Sequence, residues 1–574
     1  MKTSLESISG RFWNFLTTAE PRKIFLFVFG TAFLLRMPTL LIDYIHIDVI
    51  TSYIIAQRDI AGLYFTPNKE ILYHLLVKWS ILLFGDSPIS FHLTGILFVL
   101  LTMIFIYLLG NRIYGQRAGI CAALFYGCIL SSFQTEYLAT NAEVIYNLFF
   151  VSAFYFFYVI NFEQRVYFII PLVISLAMGA LIKFQGIFAI FALLFYLFAV
   201  KPAFIIRGKK LITYYIILAL LSSAALIFIY VDWNHTQILL SGSLRKMFKP
   251  MVDYVANRGF SPFHIIGKLI WRAYQFTLFH SIVWIPGIIA IAAFFRGNRE
   301  GDERNEKEAY LIGIVLFLFL TIFFGGARLS PHYFIPVLPP LAILAAQEVL
   351  RRLNRIEFKK HAFMMLAVPV LFFFIWNMKD AYIGNCKPSW KHQESRCTFL
   401  FRILVIGSHG EYLLPHKSLL PVLKYLRERT SPEETIFAWP MGSEVVYYSK
   451  RRSATHKFWF NEKALHAIVQ NEKGNRAEFV RVEDSFIRSI RECNPDYFID
   501  VGSTAMIRKV LVYRKKDDPP FYFDINTAPM IRFGSFGGLD NFPKLIRFLN
   551  EQFQYVGSFG TARVWKRREA EQKR

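Results

Sequence analysis

The stretch from His46 to His74 reads HIDVITSYIIAQRDIAGLYFTPNKEILYH and follows the first long apolar run of the chain. It places Asp48 ahead of a short amphipathic segment, Val49 to Ile60, in which Ile50, Tyr53, Ile54 and Gln57 fall at helical spacing. It then reaches Asn68-Lys69-Glu70, just before Ile71-Leu72-Tyr73-His74. Ionisable residues this close to apolar spans are costly to place, which makes them functional candidates. Such a loop needs a membrane domain to hold it at the water–lipid boundary, and the rest of the chain supplies one.

Of 574 residues, 55% are hydrophobic, 17% aromatic and only 18% charged, with 60 Phe, which is the composition of a polytopic membrane protein. The net charge of +24 invites a nucleic-acid reading. The Lys and Arg positions argue against it, because many sit in short loops between apolar runs. Those runs are Ile24–Ile42, Ser87–Leu109, Ala118–Phe133, Glu143–Ile160, Val166–Ile182, Gly186–Val200, Leu211–Val231, Phe276–Phe295, Tyr310–Phe324, Tyr333–Leu350 and Ala362–Trp376, about eleven spans. Ile71–Phe84 is shorter and carries His74 and Lys78, so it reads as interfacial or re-entrant. Ile24 to Leu35 leads into Arg36 without a small-residue cleavage site and reads as a retained anchor.

Alternation of the spans gives an orientation. With Lys2, Arg11, Arg22 and Lys23 inside, the inner loops hold Arg112, Arg117, Arg165, Lys201, Arg207, Arg296, Arg299, Arg351 and Arg352. The outer loops hold Asp43, Asp48, Asp59, Glu70, Asp86, Glu136 and Glu143. The Asp48 loop and the C-terminal region both fall outside. The expected organisation is a membrane domain over residues 1–378 and a small extracytoplasmic α/β domain over 379–574. In the latter, Thr435–Trp439 and Tyr497–Val501 read as strands, and Leu419–Arg429, Ala464–Gln470 and Asp484–Glu492 as helices. It has no glycine-rich phosphate loop. Cys121 and Cys128 lie in an apolar run as small packing residues; Cys386 and Cys397 could pair in an oxidising compartment, which leaves Cys493 over.

Each candidate residue has a plain reading beside a chemical one. Asp48 is either a helix N-cap or a carboxylate base, and capping would itself orient the base. Lys69 is either a lysine snorkelling at the membrane edge or a cation for a phosphate. Lys183, in Leu181-Ile182-Lys183-Phe184-Gln185, puts a positive charge at the outer end of its span, against the inside bias. Glu143 is explained by complementarity to a helix N-terminus, or by substrate positioning. Arg258, Arg328 and His332 also lie in outer loops. They suit anchoring to anionic head groups or an anionic substrate arriving from the membrane.

Several of these motifs, in order, resemble the GT-C glycosyltransferases. Arg36-Met37-Pro38 leading to His46-Ile47-Asp48, then Lys69-Glu70-Ile71-Leu72-Tyr73-His74, is similar to that family's first outer loop. Thr140-Asn141-Ala142-Glu143 looks like a second acidic position, and Gly179-Ala180-Leu181-Ile182-Lys183 like the lysine segment after it. His332-Tyr333-Phe334-Ile335-Pro336-Val337-Leu338-Pro339-Pro340-Leu341 is similar to the family's Tyr-x-x-Pro-x-x-Pro-Pro helix start. Protein O-mannosyltransferases and the aminoarabinose transferase acting on lipid A are the nearest kinds, over roughly residues 20–350. Val49 stands where many members have a second acidic residue, and Glu70-Ile71 replaces the usual prolines.

The resemblance implies inverting transfer of a hexose or pentose from a polyprenyl-phosphate sugar to an acceptor hydroxyl on a lipid, glycan or protein. It implies a bacterial inner-membrane protein working at the periplasmic or lumenal face among membrane lipids. Asp48 would be the base, and Lys69, Lys183, Arg258, Arg328 and His332 the phosphate and donor ligands. Glu143, Glu70 and Tyr333 would position donor or acceptor. No metal ligands are assigned, and a divalent metal stays open. A transporter of lipid-linked saccharides is the alternative, but such proteins usually set ionisable groups at the midplane of repeat-built folds. Here the charges gather in outer loops and no repeat is visible. A receptor-like scaffold would leave the acidic outer loop unexplained.

Overall fold

The computed structural model describes residues 20–41, 47–56, 71–131, 139–200, 280–296, 302–324, 331–355, 410–439, 442–455, 474–501, 539–560 and 562–568, with a few short pieces between them. The spans expected at Leu211–Val231 and Ala362–Trp376, the helix at Ala464–Gln470, and Cys386 and Cys397 lie outside these or nearly so. Cys121, Cys128 and Cys493 are free thiols. The chain forms two compact units. One comprises residues 1–43 and 64–394, and the other residues 44–63 and 395–574.

The described helices, in chain order, are α1 (Pro21–Arg36), α2 (Ile47–Ala56), α3 (Ile71–Phe84), α4 (Pro88–Tyr114), α5 (Gln116–Leu130), α6 (Ala142–Glu163), α7 (Ile169–Ile182), α8 (Phe188–Phe195), α9 (Ser281–Phe295), α10 (Asp302–Phe324), α11 (Leu338–Arg355), α12 (Gly410–Arg429), α13 (Ser443–Ser449), α14 (Arg476–Cys493) and α15 (Pro543–Gln552). All but α2 and the last four belong to the first unit. Among the described residues, Pro88–Tyr114, Ala142–Glu163 and His332–Arg352 are long and apolar enough to cross a membrane. The protein is an integral membrane protein.

Small residues set the packing of the first unit. Gly115 takes φ +92° and turns α4 directly into α5, a conformation open to glycine. Just beyond the turn the two backbones nearly touch, since a Cβ on Gly110 would lie 2.9 Å from the Gly119 Cα. Small residues allow this close approach where lipid gives no hydrophobic drive between helices. At the centre lies α6, buried on nearly all sides, as a helix apolar all round should be. Polar side chains tie it to its neighbours: Ser152 donates to Ser175 on α7 at 2.9 Å, and the Tyr310 hydroxyl on α10 donates to the Phe154 carbonyl at 2.7 Å. At its C-terminus Glu163 pairs with Arg112 of α4 at 2.8 Å. The ends of α4 and α6 therefore lie together, opposite to Glu143.

Two expected spans begin differently from their sequence reading. The helix expected from Tyr310 starts eight residues earlier, at Asp302. The run from Tyr333 opens as a 3-10 turn over Pro331–Val337 before α11 takes over. Pro336 has no N–H to give to an α-helix, whereas Pro339 and Pro340 fit its first turn.

The second unit is built on a five-stranded sheet in the order β2-β1-β3-β7-β6, where β1 is Thr435–Trp439, β2 Arg452–Ser453, β3 Tyr497–Asp500, β6 Phe553–Phe559 and β7 Ala562–Arg567. A separate pair, β4 (Phe521–Tyr522) and β5 (Ile531–Arg532), runs antiparallel. Strand β1 is parallel to β2 and β3, while β3–β7 and β7–β6 are antiparallel. Both expected strands are present. The apolar residues of β1 and β3 meet those of α14 and α15 in a core of Phe437, Trp439, Phe486, Phe498, Phe542 and Leu545. The segment Tyr44–Leu63 also belongs to this unit. Its helix α2 is not amphipathic in burial: every residue from Val49 to Ala56 is buried.

Candidate active site

Two neighbouring antiparallel helices bring separate stretches of sequence to one level. Glu143 lies in the first turn of α6, where a carboxylate complements the helix dipole. Helix α7 runs back and ends at Ile182, and Lys183 then turns extended at φ −154°, ψ 132°. The chain folds back at once through a 3-10 turn over Phe184–Ile187, closed by the Gly186 N–H donating to the Lys183 carbonyl at 2.7 Å. This turn lies flat against the helix end. A Cβ on Gly186 would sit 2.3 Å from the Gly179 carbonyl atoms and 2.5 Å from the Ala180 nitrogen.

The Lys183 ammonium donates a hydrogen bond to Glu143 Oε1. Both residues are buried, at 8% and 2% exposure. His332 Nε2 lies 3.6 Å from the same carboxylate oxygen, and the ammonium stands 5.6 Å from the centre of the Tyr333 ring. One carboxylate is thus shared by an ammonium and an imidazole over an aromatic face. Tyr146 and Tyr333 line an adjoining narrow cleft together with Phe150, Gln185, Phe188 and Thr321.

Glu143, Lys183, His332 and Tyr333 are therefore brought together out of the candidate set. Asp48 falls in the first turn of α2, one residue inside the helix rather than before it, and its side chain is outside the described part. Lys69, Glu70, Arg258 and Arg328 lie outside the described residues. Among the described residues no group of three or more His, Cys, Asp or Glu side chains could hold a metal ion.

Sequence reasoning passed over the residues that hold Glu143 in place. Arg36, wholly buried at the end of α1, donates to the Leu130 carbonyl at 2.7 Å and to the Tyr137 carbonyl at 3.3 Å. The Tyr73 hydroxyl on α3 donates to the Thr140 carbonyl at 2.7 Å, and the Thr140 hydroxyl donates to the Phe91 carbonyl on α4. The segment before α6 is thus fixed from three helices. One turn below Glu143, the Asn147 amide donates to the Tyr126 hydroxyl at 2.8 Å and to the Ile335 carbonyl at 3.3 Å, which anchors the 3-10 turn carrying His332 and Tyr333. Asn141 is different. It stands at the N-cap of α6, 1% exposed, yet makes no capping bond, and neither amide atom has a hydrogen-bond partner among the described residues.

The crystal structure of ArnT from Cupriavidus metallidurans bound to undecaprenyl phosphate matches this chain with TM-score 0.55 and 13% identity, over 96% of this chain and 99% of that one. The apo form of the same protein matches with TM-score 0.53 and 12% identity, over 94% and 97%. The chain has the GT-C glycosyltransferase fold. Within that fold, residues 68–228 match the family described as dolichyl-phosphate-mannose-protein mannosyltransferase, a stretch that includes Lys69, Glu70, Glu143 and Lys183. No curated protein sequence matches the chain significantly. The paired charges of this chain sit at the start of α6 and the end of α7, both inside the matched stretch.

Proposed function

We propose that this protein is an inverting glycosyltransferase that moves a hexose or pentose from a polyprenyl-phosphate carrier to an acceptor hydroxyl. The acceptor belongs to a lipid, glycan or protein, and the reaction runs at the periplasmic face of a bacterial inner membrane. The observation that carries this reading is the buried Glu143–Lys183–His332 cluster beside a narrow cleft lined by aromatic and polar side chains. In a dry site a charge acts far more strongly than in water. Lys183, balanced by Glu143 in the resting state, is positioned to turn towards a phosphate as negative charge builds on it.

In the reaction the acceptor oxygen attacks the anomeric carbon of the sugar. The bond from that carbon to the phosphate oxygen breaks, and its electron pair leaves with the carrier phosphate. The hydroxyl proton goes to a carboxylate base. Asp48 takes that role on the strength of its motif in the first loop. Lys69, Arg258 and Arg328 are assigned with Lys183 and His332 as donor-binding cations, and Glu70, Glu143 and Tyr333 as positioning groups. A lipid-linked donor also accounts for the many apolar spans, since its tail needs lodging within the membrane.

The test uses the purified full chain in nanodiscs with a labelled polyprenyl-phosphate sugar and membrane extracts as acceptor. Wild type is expected to transfer label, and Asp48→Asn to insert normally but transfer none. No transfer by wild type with hexose and pentose donors would remove the reading. Wild-type turnover by Asp48→Asn would remove Asp48 as the base.

A further inference from the structure

The segment carrying Asp48 belongs to the second unit, although more than three hundred residues separate it from the rest of that unit. Helix α2 has ten residues, too short to persist alone in water. Its order therefore comes from packing. It packs on α13, whose seven residues are likewise all buried. The contact has a defined geometry: the Tyr53 ring meets the Tyr447 ring edge to face, with centres 4.7 Å apart and planes at 89°. Lys450 lies over both rings, 4.5 Å from the centre of Tyr447 and 5.7 Å from that of Tyr53.

Helix α13 is itself held firmly. Lys450 closes it in the left-handed conformation, at φ +59°, with its N–H donating to the Tyr447 carbonyl at 3.2 Å. Arg427 of α12 donates through Nε to the Tyr448 carbonyl at 2.9 Å. Arg451 reaches back to the Leu426 carbonyl at 3.0 Å and the Thr430 carbonyl at 2.8 Å. Contacts thus run without a break from Tyr53 through Tyr447 to α12.

We propose that the C-terminal domain sets the position of the Asp48 helix, with Tyr447 and Lys450 as positioning residues for sugar transfer. This rests on the reading of Asp48 as the base. A base must stand within hydrogen-bond reach of the proton it takes, so a small shift of its helix acts on turnover and leaves carrier binding alone.

The experiment uses the full chain in nanodiscs and the variants Tyr447→Ala, Tyr447→Phe and Lys450→Gln. It measures kcat, the donor KM, and amide hydrogen exchange of the peptide 47–56. Tyr447→Ala is expected to lower kcat at least tenfold with a donor KM within twofold of wild type, and to speed exchange in 47–56. Tyr447→Phe keeps the ring contact and is expected to restore both. If Tyr447→Ala fails to fold, Lys450→Gln tests the same contact and is expected to lower kcat several-fold with the same KM. Unchanged kcat and exchange in the alanine and glutamine variants would overturn the proposal. An inactive wild type whose 47–56 exchange still quickens in Tyr447→Ala would leave the clamp standing and remove the transferase reading instead.

Discussion

Glu143 accepts a hydrogen bond from Lys183, forty positions further along the chain, where the start of one membrane helix meets the end of the next. Neither residue is solvated, so neither charge is tolerable without the other. Breaking one side of such a buried pair typically costs about 3–5 kcal/mol, whereas removing both charges is often nearly neutral.

Lys183→Met is accordingly expected to lower thermal stability strongly, and Lys183→Met/Glu143→Gln to recover most of the loss. Both should be inactive in sugar transfer. A double variant that stays as unstable as the single one would show that the two side chains are not coupled.

Gly186→Ala adds one methyl carbon where the Gly179 carbonyl atoms would lie 2.3 Å away. The obstacle is backbone, so the turn has to lift from the helix end and carry Lys183 with it. The expected result is a raised donor KM in an assembled protein. An unchanged KM would mean that the turn can shift without moving the lysine.

Asn141 buries its amide nitrogen and oxygen with no hydrogen-bond partner among the described residues, an arrangement that costs about 1–3 kcal/mol per unsatisfied group. Under the transferase reading such an amide suits a sugar hydroxyl. Asn141→Leu is expected to raise the melting temperature while it weakens binding of the sugar-bearing substrate. Improved stability with unaltered KM values would assign Asn141 no part in recognition.

In the second unit the Glu483 carboxylate accepts the N–H groups of Lys544 and Leu545 at the start of α15, at 2.7 and 3.0 Å. Burial nevertheless pushes its pKa above the ordinary carboxylate value, against those two bonds. The folded state therefore keeps its proton to higher pH than the unfolded state does. This contribution favours folding fully below the unfolded pKa, near 4.5, and is lost as pH rises through the raised folded value. Unfolding followed by tryptophan fluorescence between about pH 4 and about pH 7 should show that slope, and Glu483→Gln should flatten it.

The membrane character and most helix positions were legible because apolar runs are long and interrupted by charge. Lys183 stood out for lying against the charge bias. Its bond to Glu143 was legible in principle, since adjacent antiparallel helices bring the start of the first and the end of the second to one face. The sequence reading assigned the two residues separately and missed that step. The role of Arg36 was hidden for another reason: the residue entered only as part of a motif at the end of the first span, and the acceptors that bury it are carbonyls, which leave no mark in the residue pattern. The burial of α2 was hidden likewise. The helical spacing of Ile50, Tyr53 and Ile54 marks one buried face, yet the structure buries Thr51 and Ser52 as readily.

The guanidinium of Arg36 also bears on how the chain is assembled. It leaves the ribosome long before Leu130 and Tyr137, the carbonyls that it ends up serving. A nascent chain that stalls between those points carries a cation at the membrane edge without these two acceptors, a state that lipid cannot accommodate cheaply. Synthesis of α5 and of the segment after it thereby supplies the acceptors that an early buried guanidinium needs.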